Sequence, residues 1–240
     1  TGEIGEILKG KALYIADGHH RFRTSEVFHE ECLEKGWQCS TPESFDKRLV
    51  ALFNMESEGV RILATHRAVS NLPNIDSEGL VQNLREWFEV VQCGSEGEML
   101  RALPKGANQL GIVISASPLR AYLLRMKLGA AEDPAFMPGL EGPSRGLDVS
   151  LLHDGILKPY LGLGPEEVAS QKYIDYFRES PAMVSALREG RFQLGFFLNP
   201  TSLQQVREVS EAGERMPQKS TDFYPKLLTG LVFMKMDIEG

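Results

Sequence analysis

The sequence predicts an α+β (mixed α/β) fold, and three patterns support this. Short apolar runs of strand length alternate with segments in which apolar residues recur every three or four positions. Two of the runs lie close enough together to form a hairpin, which is typical of antiparallel pairing. A stretch rich in glycine and proline, residues 131–147, separates a larger N-terminal part from a smaller C-terminal part.

The first predicted elements are a strand over residues 12–16 and a helix over residues 19–35. The strand segment is apolar apart from the tyrosine hydroxyl, and Asp17-Gly18 interrupts it. Gly36 is placed to end the helix, because glycine readily takes the left-handed conformation found just beyond helix C-termini. The sequence therefore predicts a strand-turn-helix unit near the start of the chain.

The remaining elements follow from the same periodicities. The runs at 49–55 and 60–65 are separated by a short turn and are expected to pair as a hairpin. Strands are expected at 49–55, 60–65, 90–92, 110–115, 121–127, 171–177, 192–198 and 231–236. Helices are expected at 76–88, 95–103, 148–161, 181–188 and 203–212. The second half thus predicts a smaller C-terminal α/β lobe.

Composition excludes several classes of function. The net charge is −7 and the isoelectric point is about 5.4, which argues against general nucleic-acid binding because such proteins carry a basic excess. The three cysteines are odd in number and lack metal-ligand spacing, so we expect a reducing, cytoplasmic location. No apolar run has the length of a membrane span. The oligomeric state does not follow from the sequence.

The turn from Asp17 to Arg21 is the strongest functional signal. A helix that begins at Asp-Gly leaves backbone N–H groups free at its positive end, where an anion is favoured. Gly18 lets a phosphate approach the backbone closely. His19, His20 and Arg21 add donors, and Asp17 is placed to cap the helix or to hold a magnesium ion. We interpret this as an anion-binding unit.

Other interpretations of this turn stay open. Asp-Gly before a helix is also common as a plain cap, with the two histidines in solvent. A zinc site of Asp17, His19, His20 and His29 is a weaker alternative, because adjacent histidines on a helix point in different directions.

Two further segments carry polar groups suited to phosphate. His66-Arg67 follows the predicted strand 60–65, and polar residues at strand ends often line a ligand crevice. Lys219-Ser220-Thr221 offers a cation and two hydroxyls within one short turn, although the glycines of a Walker A loop are missing. Each also has a plain interpretation as a solvated loop. His153, near the start of helix 148–161, is expected to be a core histidine.

The sequence resembles a prokaryotic family of unknown function, domain-of-unknown-function family 1015 (DUF1015). The shared motifs run in the family's order over nearly the whole chain. They are Tyr14–Arg21, Asn54-Met55-Glu56, Thr65-His66-Arg67, Asp148–His153, Gln193–Thr201, Gln205-Val206, Ala212–Pro217, Lys219–Thr221, Phe223–Lys226 and Thr229–Leu231. Family members carry a sizeable segment before Asp17, and most of it is missing here, so we expect an incomplete site. Arg23 departs from the family pattern, which expects Glu or a small residue.

The Asp17–Arg21 turn also resembles the phosphate-binding turn of the ParB/sulfiredoxin-like superfamily, which includes free-serine kinases. This resemblance implies that Gly18, His20 and Arg21 contact phosphate and that Asp17 meets a metal or a substrate hydroxyl. It predicts a ParB/sulfiredoxin-like phosphate-binding lobe over residues 1–130, truncated at its N-terminus, a linker loop over 131–147 and a C-terminal α/β lobe over 148–240 packed against the first.

The function expected from these motifs is nucleotide-dependent phosphoryl transfer to a small hydroxy metabolite such as free serine. The alternative is a regulatory protein that binds a nucleotide or phosphometabolite without chemistry, and a hydrolase using the His-His pair is a weaker third possibility. The cofactors would be magnesium, held by Asp17, and ATP or ADP. Asp17 and His20 are the candidate catalytic residues. The candidate phosphate-binding residues are Gly18, His19, His20, Arg21, His66, Arg67, Lys219, Ser220 and Thr221.

Overall fold

The computed structural model describes residues 2–38, 44–105, 108–228 and 230–234. The chain divides into two compact units. The smaller unit contains residues 1–61 and 223–240, and the larger unit contains residues 62–222.

Antiparallel pairing dominates the strands. The larger unit contains a six-stranded sheet in the order β3-β5-β4-β7-β2-β6, and every neighbouring pair in it is antiparallel. β1 and β8 form a separate two-stranded sheet. The strands are β1 (Arg61–Ile62), β2 (His66–Val69), β3 (Phe88–Cys93), β4 (Gln109–Ile114), β5 (Arg120–Met126), β6 (Ile174–Phe177), β7 (Leu194–Phe197) and β8 (Phe223–Tyr224).

The helices precede, separate and follow these strands. A continuous helical segment runs from Asp148 to Leu161 and contains one π-helical turn, His153–Leu157, between two α-helical parts. The α-helices are α1 (Gly2–Leu8), α2 (His19–Glu34), α3 (Ser77–Leu84), α4 (Glu96–Ala102), α5 (Asp148–Leu152), α6 (Lys158–Leu161), α7 (Pro165–Ala169), α8 (Ser180–Arg188) and α9 (Leu203–Glu211). Short 3-10 turns lie at Leu103–Lys105 and Pro143–Gly146.

The six-stranded sheet buries apolar residues on both faces. Side chains alternate between the faces along each strand, so Val69 belongs to one apolar cluster and Ala68 to the other. The first cluster packs α3 and the 148–161 segment against the sheet, and the second packs α4 and α8 against the opposite face. The larger unit therefore has helices on both faces of an antiparallel sheet.

Two glycines allow the helices to approach the second face. A Cβ on Gly111 would lie 2.1 Å from the sulfur of Met99 in α4, and one on Gly195 would lie 2.6 Å from a methyl carbon of Leu187 in α8. No real Cβ tolerates such distances. A side chain at either position would therefore force the Met99 or Leu187 side chain out of its packed position.

Arg145 organises the glycine- and proline-rich segment that precedes α5. Its half-buried guanidinium donates hydrogen bonds to five backbone carbonyls of that segment. The acceptors are Ala131, Asp133, Phe136, Met137 and Leu140. The segment is therefore a folded part of the larger unit, with Phe136 and Met137 in its apolar core.

The smaller unit is held together by a few contacts along α2 and the residues that follow it. Cys32 and Phe45 are its buried apolar side chains among the described residues. The Phe45 ring lies 5.7 Å from the ring of His29. Arg48 donates to the carbonyl of Ser25 in α2 and to that of Phe45. These contacts fix the residues after α2 against the helix.

The structure confirms the α+β class, the helix after Asp17-Gly18 and most elements from residue 76 onward. The strand at 12–16 and the hairpin of 49–55 with 60–65 are wrong: both 12–16 and 49–55 are irregular, and β1 pairs with β8 instead. A strand needs a neighbour for its backbone groups, and an apolar run cannot supply one. Residues 231–234 form no strand, and 235–236 lie outside the described residues.

The division into units differs from the expected one. The expected linker, 131–147, lies inside the larger unit. The reason is strand pairing, because β6 and β7 come after that segment and pair with β2 and β4, which come before it.

Candidate functional site

The turn at Asp17-Gly18 has the geometry of an open helix start. Gly18 is the N-cap of α2, with φ of 86° and ψ of 23°, a left-handed conformation that favours glycine. Its N–H donates to Asp17 Oδ1 at 2.7 Å, and its carbonyl accepts from the N–H of Phe22 at 2.9 Å. Among the residues that the structure describes, no side chain caps the helix. The first turn of α2 therefore begins without a side-chain acceptor.

The guanidinium of Arg21 lies directly over this turn. A Cβ built on Gly18 would be 3.1 Å from Arg21 Nη2 and 3.3 Å from its Nε. Within the described residues, the backbone N–H groups of His19, His20 and Arg21 have no hydrogen-bond acceptor. A guanidinium and three backbone donors at the positive end of a 16-residue helix thus lie within one turn.

Asp17 is engaged by a lysine. Its Oδ2 accepts from Lys226 Nζ at 3.1 Å, and this hydrogen bond lowers the pKa of Asp17, against a smaller opposing effect of burial. The carboxylate is therefore ionised at neutral pH and neutralises part of the local positive charge. The ammonium group of Lys226 already contacts one oxygen of this exposed carboxylate, and a magnesium ion at Asp17 stays a prediction.

The two histidines of the turn are exposed and diverge. His19 and His20 are adjacent on α2, so their side chains leave the helix about 100° apart. Across the ranges that the structure describes, no group of three or more histidine, cysteine or acidic side chains is arranged to hold a metal ion. That part of the chain gives the zinc interpretation no support.

His66 and Arg67 point to opposite faces of the sheet. Both lie within β2, where neighbouring side chains alternate. His66 contacts the ring of Phe197 at 5.2 Å, and its Nδ1 accepts from the N–H of Leu198. Arg67 lies opposite Tyr176 in β6 and over its ring. The pair begins a central strand instead of ending one, and the two side chains cannot face the same ligand.

Arg67 is buried and holds backbone carbonyls. It is 1% exposed, and its guanidinium donates to the carbonyls of Thr65, Gln218 and Lys219. Its Nε has no partner among the described residues. Burial lowers the pKa of Arg67 to about 10, so the guanidinium remains charged at neutral pH. In this geometry Arg67 fixes residues 218–219, and direct contact with phosphate stays a prediction.

The segment Lys219–Thr221 is partly buried. Ser220 is buried, and its Oγ donates to the carbonyl of Pro217 at 2.5 Å. Its own carbonyl accepts from Thr201 Oγ1 at 2.9 Å. The side chain of Lys219 is exposed, and that of Thr221 is half-buried. Lys219 and Thr221 are therefore the members of this segment that a ligand could reach.

The sequence does not predict the half-buried polar pair at the start of α5. Asp148 Oδ2 accepts from the backbone N–H and the side-chain amide of Asn199, yet burial raises the pKa of Asp148 to about 6. His153 is half-buried in the 148–161 segment, and burial lowers its pKa to about 3. Its Nε2 is buried and has no partner among the described residues. Tyr176 carried no sequence signal except its position in a strand.

The candidate residues thus form two groups. Gly18, His19, His20 and Arg21 lie in the smaller unit with Asp17, and the remaining candidates lie in the larger unit. The larger-unit group comprises His66, Arg67, Lys219, Ser220 and Thr221.

These features define an α+β protein with an uncapped, arginine-covered helix start. The chain belongs to the family described as protein of unknown function, DUF1015, whose model matches residues 1–150. This confirms the resemblance inferred from the motifs. No curated protein matches the sequence. Within the described residues, no helix is both long enough and apolar enough to cross a membrane.

Several solved structures are similar to this one. A free serine kinase in complex with AMP has 16% identity and a TM-score of 0.46, covering 90% of this chain and 69% of its own. A mutant free serine kinase in complex with ADP has 16% identity and a TM-score of 0.48, with coverages of 90% and 70%. A conserved hypothetical protein from Pyrococcus furiosus has 15% identity and a TM-score of 0.46, with coverages of 90% and 72%. Likeness at this level carries no argument about what this chain binds.

Proposed function

We propose that the Asp17–Arg21 turn binds the phosphate group of a nucleotide. The observation that carries this proposal is the position of the Arg21 guanidinium, over a left-handed Gly18 at an uncapped helix start. A phosphate there would accept hydrogen bonds from backbone N–H groups and from an arginine at the same time. Gly18 leaves room for it because a Cβ would contact the guanidinium instead.

The reaction we propose is transfer of a phosphoryl group from ATP or ADP to a small hydroxy metabolite. Such transfer depends on positioning and on positive charge around the moving group. Arg21 and the start of α2 would supply that charge, and His20 would donate to a phosphate oxygen. The resemblance of the turn to the ParB/sulfiredoxin-like superfamily, with its free-serine kinases, makes free serine the first acceptor to test.

Asp17 has a narrower part in this proposal. Its ionised carboxylate is held by Lys226 at 3.1 Å, so it would orient Lys226 and the Gly18 N–H instead of accepting a proton. Magnesium at Asp17, a ParB/sulfiredoxin-like lobe over residues 1–130 and a cytoplasmic location stay predictions from the sequence.

The alternative is a protein that binds a nucleotide or phosphometabolite for regulation, without chemistry. The lowered pKa of Asp17 favours this regulatory function, because a carboxylate that is held ionised by a lysine is a weak base. Both functions use the same turn.

Replacing Arg21 tests the binding step that both functions share. We expect Arg21→Ala to weaken ADP binding about tenfold or more, because hydrogen bonds to charged groups contribute about 1.5–3 kcal/mol each. Arg23→Ala is the matched control, since Arg23 is exposed on the same helix and lies 3.7 Å from Glu26. Isothermal titration calorimetry with ADP measures both. Equal ADP affinity in the unmodified protein and in both variants would show that Arg21 does not contribute to binding, and the proposed site would be wrong.

Turnover separates the two functions. The protein is incubated with magnesium, ATP or ADP and a panel of hydroxy amino acids, and phosphorus NMR follows the products. A new phosphoester signal supports transfer, and binding without a new signal supports the regulatory function.

A further inference from the structure

Two cations share one aromatic ring in the larger unit. The guanidinium carbon of Arg67 lies 5.6 Å from the centroid of the Tyr176 ring, and Lys219 Nζ lies 5.9 Å from the same centroid. Neither cation has an ion pair with a carboxylate among the described residues. A buried guanidinium is costly to leave without a counter-charge, so this arrangement favours an anion nearby.

The loop that carries Lys219 has its carbonyl oxygens tied down. Arg67 holds those of Gln218 and Lys219. The carbonyls of Pro217 and Ser220 accept from the Ser220 and Thr201 hydroxyls. Four consecutive acceptors are therefore occupied. The side-chain groups that the loop still offers to a ligand are the exposed amide of Gln218, the exposed ammonium of Lys219 and the half-buried hydroxyl of Thr221, and each of them can donate a hydrogen bond.

Lys219 adopts an uncommon backbone conformation. Its φ is 57°, in the left-handed region that residues with a Cβ rarely enter. Such a conformation persists only where the surroundings enforce it, and it clusters at functional positions. At this residue Arg67 donates a hydrogen bond, 2.9 Å long, to the carbonyl of Lys219.

The carboxylate nearest to this loop in the sequence already has a cation beside it. Asp222 is the acidic residue next to it in sequence, and it already pairs with Arg178 through two contacts of 2.6 and 3.0 Å. Arg67 and Lys219 therefore have no carboxylate partner among the described residues, in a chain whose net charge is −7.

We propose that the loop Pro217–Thr221 is a second oxyanion subsite, contained in the larger unit. Lys219 and Thr221 would contact a phosphate-type group, and Arg67 would be a positioning residue that holds the loop in its left-handed turn. The subsite goes beyond the nucleotide site proposed at Gly18 and does not depend on it. Its ligand class is a phosphorylated small molecule.

Amide NMR of the full chain with inorganic phosphate as the probe tests this subsite. We expect phosphate to shift the amide signals of Lys219, Ser220 and Thr221, and Lys219→Met to weaken that response about tenfold. Lys172→Met is the matched control, because Lys172 Nζ lies 5.1 Å from the Tyr173 ring without an arginine beside it; it should leave the response unchanged. Unmoved signals at residues 219–221, or an unchanged response in Lys219→Met, would overturn the subsite.

The positioning role of Arg67 needs a variant that keeps its charge. Arg67→Lys retains a cation but cannot reach all three carbonyls. We expect about fivefold weaker phosphate binding at residues 219–221 and no further loss when it is combined with Lys219→Met. Additive losses in the double variant would refute the positioning role. Amide signals of residues 18–21 report separately on the nucleotide site. The experiment therefore distinguishes failure of the subsite from failure of the nucleotide site.

Discussion

The two units differ most in how completely they bury their apolar side chains. In the larger unit Leu110, Ile112 and Phe196 are completely buried within the sheet core. In the smaller unit Leu13 is 62% exposed and Phe22 is 44% exposed. The larger unit is therefore stabilised by apolar burial, whereas the geometry of the Gly18 turn depends on local polar contacts with Asp17, Lys226 and Arg21. The candidate nucleotide site and the main source of stability therefore lie in different parts of the chain.

The largest expected effect comes from removing a core ring. Phe196→Ala should lower the free energy of unfolding by about 3–5 kcal/mol, because it deletes a fully buried aromatic and leaves a cavity. Phe22→Ala, at a 44% exposed position in α2, should change it by less than about 0.5–1 kcal/mol. Urea denaturation of both variants measures the difference. Equal losses would show that the smaller unit also depends on apolar packing.

Acid should destabilise the larger unit next most strongly. Burial lowers the pKa of His66 to about 4 and that of His153 to about 3, so below about pH 6.5 the unfolded chain binds protons that the folded chain does not. Each histidine then removes up to about 1.4 kcal/mol per pH unit as the pH falls.

Asp148 opposes the histidines over part of this range. The pKa of Asp148 is raised to about 6 in the folded chain. Below that pH the folded carboxyl binds a proton, whereas the unfolded carboxyl binds one only near its ordinary, lower pKa. This difference favours the folded chain as the pH falls. Urea denaturation from about pH 7 to about pH 5 should show a net loss of stability, and a steeper one in Asp148→Asn. Stability that rises toward pH 5 would contradict the buried, neutral histidines.

A further effect on stability is expected at Gly18. Gly18→Ala and Gly10→Ala should each cost about 1–2 kcal/mol, because both glycines have a positive φ, of 86° and 74°. Of the two variants, only Gly18→Ala should also weaken ADP binding, because its Cβ displaces the Arg21 guanidinium. A Cβ on Gly10 meets nothing within 4 Å. Calorimetry with ADP separates the two. Equal affinities would show that the guanidinium position is irrelevant.

The sequence predicts elements well where one periodicity decides them. α2 and β4 lie within about two residues of the expected bounds, because a helix is stabilised by contacts along its own length and β4 is a long apolar run. The prediction from sequence fails at residues 12–16. These residues have an apolar pattern but no partner strand among the described residues. Pairing is a long-range property, and a single apolar run does not encode it.

The candidate sites follow the same distinction. The start of α2 could be predicted because Asp17, Gly18 and Arg21 lie within five consecutive residues. The orientation of Arg67 could not, since it depends on the register of β2 against β6, where Arg67 lies opposite Tyr176. The partner of Lys219 likewise comes from a strand about 150 positions earlier in the chain, as the hydrogen bond between Arg67 and Lys219 shows.

The five carbonyls gripped by Arg145 have a consequence for cleavage by proteases. A trypsin-like enzyme must draw an arginine side chain into its own specificity pocket before it cuts the bond that follows. The guanidinium of Arg145 is already enclosed by the loop it organises. In sequence, this glycine- and proline-rich stretch resembles an accessible linker. Its one arginine is nevertheless protected from cleavage while the larger unit stays folded.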